Sequence, residues 1–386
     1  MRRSTIFKLL GAVVALFLAL GVAEVGLRLL GYGPRPWGAT AAGYFWVADT
    51  ELGFRNRPDG SFRNRAIVGQ PLVTTDDQGF RRGLGWDGGE GVPAVVMVGD
   101  STTFCAEVGD DRTAASELAR QLGGKVQVLN AGVAGYSTVQ ARRMLRRCLE
   151  LYPSIRVAVH MHCGNDLVEN LNPVVYHPAW APTVRWDAGA NAFVDVPPAV
   201  APEAAGRPVA PPAVGRLHLA LHRLGQGSAV ARLTEAVARR ALGLAPVYGP
   251  TVELESGAVG PVFVGTERWQ QQVEWALQNR GVEAVQAELQ AMDAMCRERG
   301  VTLLVTEYEA GRGGGSGELD LARLSHAAGV RFVDLRPAFP GPPQGYRARQ
   351  VTGDLDPHWG AEGTRAFAAA MAPEVATVLE ADAPSE

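Results

Sequence analysis

Ala94-Val95-Val96-Met97-Val98-Gly99-Asp100-Ser101-Thr102 is the stretch on which the reading of this chain turns. Ala94 to Val98 is an apolar, β-branched run too short for a helix and ended by glycine, which reads as a buried strand. Asp and Ser follow it, residue types that favour a helix start, and Arg112 to Leu122 has helical spacing. Moving outward, strands are predicted at Val126 to Leu129, Ile155 to His160, Val301 to Thr306 and Val330 to Leu335. Helical patterns separate or follow them at Val139 to Leu151, Thr266 to Arg299, Leu319 to Ala328 and Ala361 to Leu379. Strand alternating with helix points to a parallel sheet covered on both faces, the doubly wound α/β class.

Two regions interrupt this pattern. Residues 31–92 are rich in Gly, Arg and aromatics, with turn signals at Pro58-Asp59-Gly60 and Asp76-Asp77-Gln78-Gly79. They read as an extension of short strands and loops without a core of its own. Between Leu171 and Gly265 the alternation stops, and 12 of the 25 prolines fall there, so the stretch reads as an insertion or lid. Its one helical pattern, Val214 to Leu244, has apolar residues with arginines between them. It either packs over the mouth of a site or lies on a membrane surface. The expected organisation is therefore an N-terminal segment (1–30), the extension (31–92), a catalytic domain in two pieces (93–170 and 266–380) and the insertion (171–265).

The N-terminal segment carries Arg2, Arg3 and Lys8 ahead of Leu9 to Ala23, which hold no charge. That run alone covers roughly 22 Å as a helix, short of a hydrocarbon core of about 30 Å. Extended from Thr5 to Leu27 it reaches roughly 34 Å, with Lys8 and Glu24 near the ends, where they can snorkel. Positive residues before the run keep the N-terminus in the cytoplasm. The expectation is a single-pass anchor in a bacterial inner membrane with the catalytic part on the periplasmic side. A cleaved signal peptide is the rival, since Ala19, Gly21 and Ala23 are small enough for cleavage.

Across all 386 residues, 47% are hydrophobic and 20% charged, enough to bury a sizeable core. A net charge of −3 leaves no electrostatic footprint for nucleic acid. Cys105, Cys148, Cys163 and Cys296 show no metal-ligand spacing. Cys105 and Cys163 are either free buried thiols or, in an oxidising compartment, partners in a disulfide.

Ligands of open α/β sheets bind at the carboxyl ends of strands. The first strand is followed by Gly99-Asp100-Ser101, the second by Asn130-Ala131-Gly132-Val133-Ala134-Gly135 and the third by His162-Cys163-Gly164-Asn165-Asp166. Beyond the fifth comes Asp354-Leu355-Asp356-Pro357-His358-Trp359. Together these supply the parts of acyl transfer. Ser101 is the candidate nucleophile, His358 the general base, and Asp356 the group that orients the imidazole. The amides of Ser101 and Gly135 and the side chain of Asn165 are the candidate oxyanion hole. Each has a plainer reading: a helix cap for Ser101, a turn for Asn165-Asp166, a surface pair for His358-Trp359. The conjunction of four elements in order at strand ends outweighs them.

These blocks resemble the SGNH hydrolases, or GDSL esterases/lipases. Gly99-Asp100-Ser101, Asn130 to Gly135, Asn165-Asp166 and the late Asp356 and His358 match its blocks. The resemblance implies a flavodoxin-like three-layer α/β/α sandwich around a five-stranded parallel sheet. It departs at Cys163, where the third block has a glycine, and at Leu355, where the usual DxxH has its aspartate. Asp354 is a second candidate acid. The Asp-x-His-Trp form, with Leu52-Gly53-Phe54-Arg55 and Gly79-Phe80-Arg81, looks like the branch of membrane-anchored polysaccharide acyl-modifying enzymes. The implied activity is hydrolysis of an acyl ester, on a carbohydrate or lipid, through an acyl-serine. The alternatives are a polysaccharide O-acetyltransferase using the same residues, beside a membrane acyltransferase partner, and a non-catalytic carbohydrate-binding scaffold. No cofactor is expected. Two histidine pairs, His160 with His162 and His218 with His222, lack the further ligands of a catalytic metal site, so none is expected.

Overall fold

The computed structural model describes residues 3–29, 45–64, 67–86, 91–172, 181–207, 267–308, 319–351, 353 and 355–381, with isolated residues between 230 and 260. Helix α1 (Arg3–Leu29) is followed by two antiparallel hairpins, β1 (Trp46–Asp49) with β2 (Gly53–Asn56) and β3 (Ser61–Arg63) with β4 (Leu72–Thr74). The alternating part begins with β5 (Ala94–Gly99), α2 (Ser101–Phe104), α3 (Ala114–Gln121), β6 (Gln127–Asn130), α4 (Thr138–Leu151), β7 (Ile155–His162) and α5 (Asp166–Glu169). The hairpin β8 (Thr183–Asp187) and β9 (Ala192–Val196) and the short pair β10 (Val252–Glu253) and β11 (Val259–Gly260) lie in the insertion. Then come α6 (Glu267–Gln278), α7 (Gly281–Arg297), β12 (Thr302–Glu307), α8 (Leu321–Ala327), β13 (Arg331–Val333), β14 (Arg347–Arg349), β15 (Leu355–Trp359) and α9 (Ala361–Ala381).

The central sheet is parallel throughout, in the order β13-β12-β7-β5-β6. In chain order that is 2-1-3-4-5 read from the β6 edge, the flavodoxin-like arrangement, whose switch point lies between β5 and β7. Every residue of β5 is buried, which explains its unbroken apolar run. One face of the sheet packs Val96, Val98, Ala158 and Val305 against α4, α7 and α8. The other packs Val95, Met97, Val159 and Leu304 against α3 and α9.

Phe45 and Val73 of the extension form a small cluster with Phe104 of α2. Trp46, Leu52, Phe54 and Phe80 belong to the main cluster on the α4 side. Residues 266–299, expected as one helix, form two. Arg280 takes a left-handed conformation (φ 66°) with its guanidinium 4.2 Å from the centre of the Trp186 ring. Among the described residues no helix is long and apolar enough to cross a membrane, so the membrane span expected from the sequence is not found there. All four cysteines are free, so the alternative of a Cys105–Cys163 disulfide is set aside. The helix expected at Val214 to Leu244, with His218 and His222, falls almost wholly outside the described residues.

Candidate active site

Ser101 is held by the turn that leaves β5. Buried Asp100 accepts hydrogen bonds from the Thr102 amide (2.9 Å) and Thr102 hydroxyl (2.8 Å), which fixes the first turn of α2 and half-buries Ser101 at its start. Cys105, left-handed at φ 58°, ends that helix after one turn and sends the chain toward Glu107.

The loop after β6 is tied to this turn. Asn130 Nδ2 donates to the Thr103 carbonyl (2.8 Å), while its Oδ1 accepts from the Gly132 amide (3.0 Å). Gly132 lies so close to α2 that a Cβ there would come within 2.5 Å of the Phe104 nitrogen. Gly135 has φ +85°, a conformation costly for any other residue except Asn or Asp. The extension supports the loop from behind. Asn56 Nδ2 donates to the Gly132 carbonyl (3.0 Å), the Tyr136 hydroxyl to the Phe54 carbonyl (2.6 Å) and Gln140 Nε2 to the Leu52 carbonyl (2.8 Å).

At the end of β7, the Cys163 amide donates to Asp166 Oδ2 (2.9 Å) and Asn165 Nδ2 to Glu169 Oε2 (2.9 Å). Burial, with the charge of Asp100, holds the Asp166 carboxyl well above the usual range. Burial likewise raises the Cys163 thiol, so that side chain is no thiolate nucleophile.

Asp356 and His358 come from the β14–β15 hairpin, two apart on one strand and therefore on one face. The hairpin is fixed by the Tyr308 hydroxyl, which donates to the Pro357 carbonyl, and by Trp359, stacked on Phe339 with ring centres 5.2 Å apart. His358 Nε2 lies 2.8 Å from Ser101 Oγ, and His358 Nδ1 lies 2.7 Å from Asp356 Oδ1. Asp356 Oδ1 also accepts from the His358 amide (3.0 Å), and Oδ2 from Gln350 Nε2 (3.2 Å). Burial raises the Asp356 carboxyl, but the hydrogen bond and charge of His358 outweigh it and keep the group ionised. Burial lowers His358, yet the carboxylates of Glu107 and Asp356, with Asp100 beyond, push it up to about 10.

Three of the residues singled out in the sequence thus form one hydrogen-bonded chain, Ser101–His358–Asp356. Gly135 and Asn165 follow β6 and β7, whose strands flank β5 on either side. Asp354 lies outside the described residues. Two neighbours carried no sequence signal. Tyr308 sits one residue past β12, and Glu107 Oε1 comes within 3.4 Å of His358 Nδ1 from a loop without periodicity. The arrangement can move a proton from Ser101 Oγ to the imidazole as the oxygen attacks an electrophile.

His160, His162 and Asp166, all buried, bring their donor atoms within 4.8 Å of one another, so this trio could hold a small cation. His162 Nδ1 lies 3.1 Å from Asp166 Oδ2, yet neither ring nitrogen of His160 or His162 has a hydrogen-bond partner among the described residues. Burial lowers His160 to about 4 and His162 to about 3, so both are neutral at pH 7.

The chain matches no family model, and no curated protein matches it significantly. Among solved structures it is similar to TesA, at 12% identity over 74% of this chain and 99% of that one, with a TM-score of 0.37. It is also similar to a carbohydrate acetylesterase family member from Sinorhizobium meliloti (14% identity, 75% and 99% covered, TM-score 0.32). A third is Est24, a carbohydrate acetylesterase from the same organism (14%, 74% and 99%, TM-score 0.31). Overlap at these TM-scores does not extend to function.

Proposed function

We propose that the protein is a serine ester hydrolase. The observation that carries this reading is the chain of contacts Ser101 Oγ–His358 Nε2 (2.8 Å) and His358 Nδ1–Asp356 Oδ1 (2.7 Å). Ser101 Oγ attacks the ester carbonyl while its proton passes to His358 Nε2, and the carbonyl π pair moves onto oxygen. The Ser101 and Gly135 amides and Asn165 receive that oxyanion. One Nδ2 hydrogen of Asn165 is engaged by Glu169 and the other is left for this task. Losing one such donor costs about 3 kcal/mol of transition-state stabilisation. Collapse expels the alcohol, which takes the proton from His358. Water then attacks the acyl-serine with His358 as base, releasing the acid and restoring Ser101.

A sugar hydroxyl in place of that water would make the same residues an acyltransferase, and a membrane acyltransferase partner would belong to that reading. The acyl ester we propose sits on a carbohydrate or lipid outside the cytoplasm. Supporting that location are the basic residues ahead of the apolar run and the exposed Leu16, Phe17, Leu18 and Val22 of α1, which we propose as the membrane attachment. Loss of the protein from the membrane fraction on deleting residues 1–30 is the expected result; unchanged fractionation would contradict it.

The activity is tested by p-nitrophenyl acetate hydrolysis. Wild type is expected to turn over, with Ser101→Ala and His358→Ala each slower by on the order of 10^3-fold or more. Equal rates in all three would overturn the proposal.

A further inference from the structure

Asp356 satisfies the Nδ1 hydrogen of His358 by itself, yet a second carboxylate stands at the same nitrogen. Glu107 Oε1 is 3.4 Å from His358 Nδ1, on a side chain 8% exposed. Its Oε2 is buried and has no hydrogen-bond partner among the described residues. Burying a carboxylate is costly, and the imidazole, 3.4 Å from Oε1, is one group whose charge offsets that cost. We infer that Glu107 is a positioning residue for the base, sharing the Nδ1 side of His358 with Asp356. The inference rests on His358 being the base for Ser101.

The surroundings support this assignment. From the β5–α2 side His358 faces Ser101, with Asp100 behind it. From its own hairpin it faces Asp356, which Gln350 holds from the other oxygen. Tyr308, at the end of β12, fixes the intervening Pro357 carbonyl. Arg81 contributes its positive charge to Glu107 from the extension side. Burial pushes the Glu107 carboxyl up to about 7, against the pull of His358 and with the push of Asp356. Glu107 also lines a cavity of about 340 Å³ bounded by Ile67, Val108, Arg112, Arg347 and Arg349.

Two negative charges at one nitrogen stabilise the imidazolium that forms during attack, and they also hold the proton when no substrate is present. An opposite charge this close shifts a titration by about one to three pH units. The test is the NMR titration of His358 in the full chain, its signal assigned by loss in His358→Ala. In Glu107→Gln, which keeps the shape of the side chain, the midpoint is expected at least one pH unit below wild type. The acid limb of kcat/KM should move by the same amount. A midpoint and limb unmoved by Glu107→Gln would overturn the inference, because a merely structural role leaves them in place. Asp356→Asn supplies a second reading: with Glu107 still present, the midpoint should remain above the ordinary value of about 6.5. A fall to or below that value would count against Glu107. Because the titration needs no turnover, it tests Glu107 even in a chain that hydrolyses no ester.

Discussion

His358 sets the behaviour of the site at the scale of single residues. Held at about 10 by Glu107 and Asp356 against the opposing effect of burial, it is an imidazolium at neutral pH. An imidazolium has no lone pair on Nε2 and cannot accept the Ser101 proton, so the sign is fixed: activity rises as the proton leaves. Initial rates of p-nitrophenyl acetate hydrolysis, corrected for spontaneous reaction, are expected to climb from pH 7 toward a half-maximum near pH 10. An acid limb near the ordinary histidine value of about 6.5 would contradict this. Ser101, His358 and Asp356 were legible in the sequence because each follows a strand signal and belongs to a residue type that acyl transfer requires. Glu107 was not, because only the left-handed Cys105 turns its loop back toward the imidazole, and no pattern of residue types announces that turn.

Elements place these residues by close approach. The loop after β6 touches α2 at Gly132, where a Cβ would lie 2.5 Å from the Phe104 nitrogen and 2.7 Å from the Thr103 carbonyl carbon. Gly132→Ala therefore forces loop and helix apart, displacing both Ser101 and Gly135. We expect a stability loss of about 1–3 kcal/mol in urea unfolding and a larger fractional loss of kcat. Unchanged kcat would show that the contact does not position the site. The central strand β5 was readable because a strand buried on both faces is a continuous apolar run. The break between α6 and α7 was not, since helical periodicity continues across it. Two tertiary contacts decide that break. Arg280 stacks on Trp186, and Gly281 approaches the Leu167 carbonyl so closely that a Cβ would lie 3.0 Å from it.

Over the whole molecule, the extension is a structural part of the site. Arg81, fully buried, pairs with Asp110, donates to the Val108 carbonyl (3.0 Å) and bonds through its own amide to the Asn130 carbonyl (3.0 Å). It thereby joins the extension to the loop that carries Glu107 and to the end of β6. Arg81→Met leaves Asp110 without its guanidinium and is expected to destabilise the fold by about 3 kcal/mol in urea unfolding. A loss below about 0.5 kcal/mol would show the pair to be dispensable. The turn at Asp76 was visible from its residues, but its consequence was not. Burial of an arginine is against the usual rule, and it is Asp110 and the Val108 carbonyl, far along the chain, that accept from its guanidinium.

The proposed activity depends on Ser101 being the nucleophile, activated by His358. It is tested most directly by reaction with a fluorophosphonate followed by peptide mass spectrometry. A single adduct on the peptide bearing Ser101 is predicted, absent in Ser101→Ala and formed far more slowly in His358→Ala. An adduct on any other residue, or ester hydrolysis that persists with Ser101 unlabelled, would contradict the account.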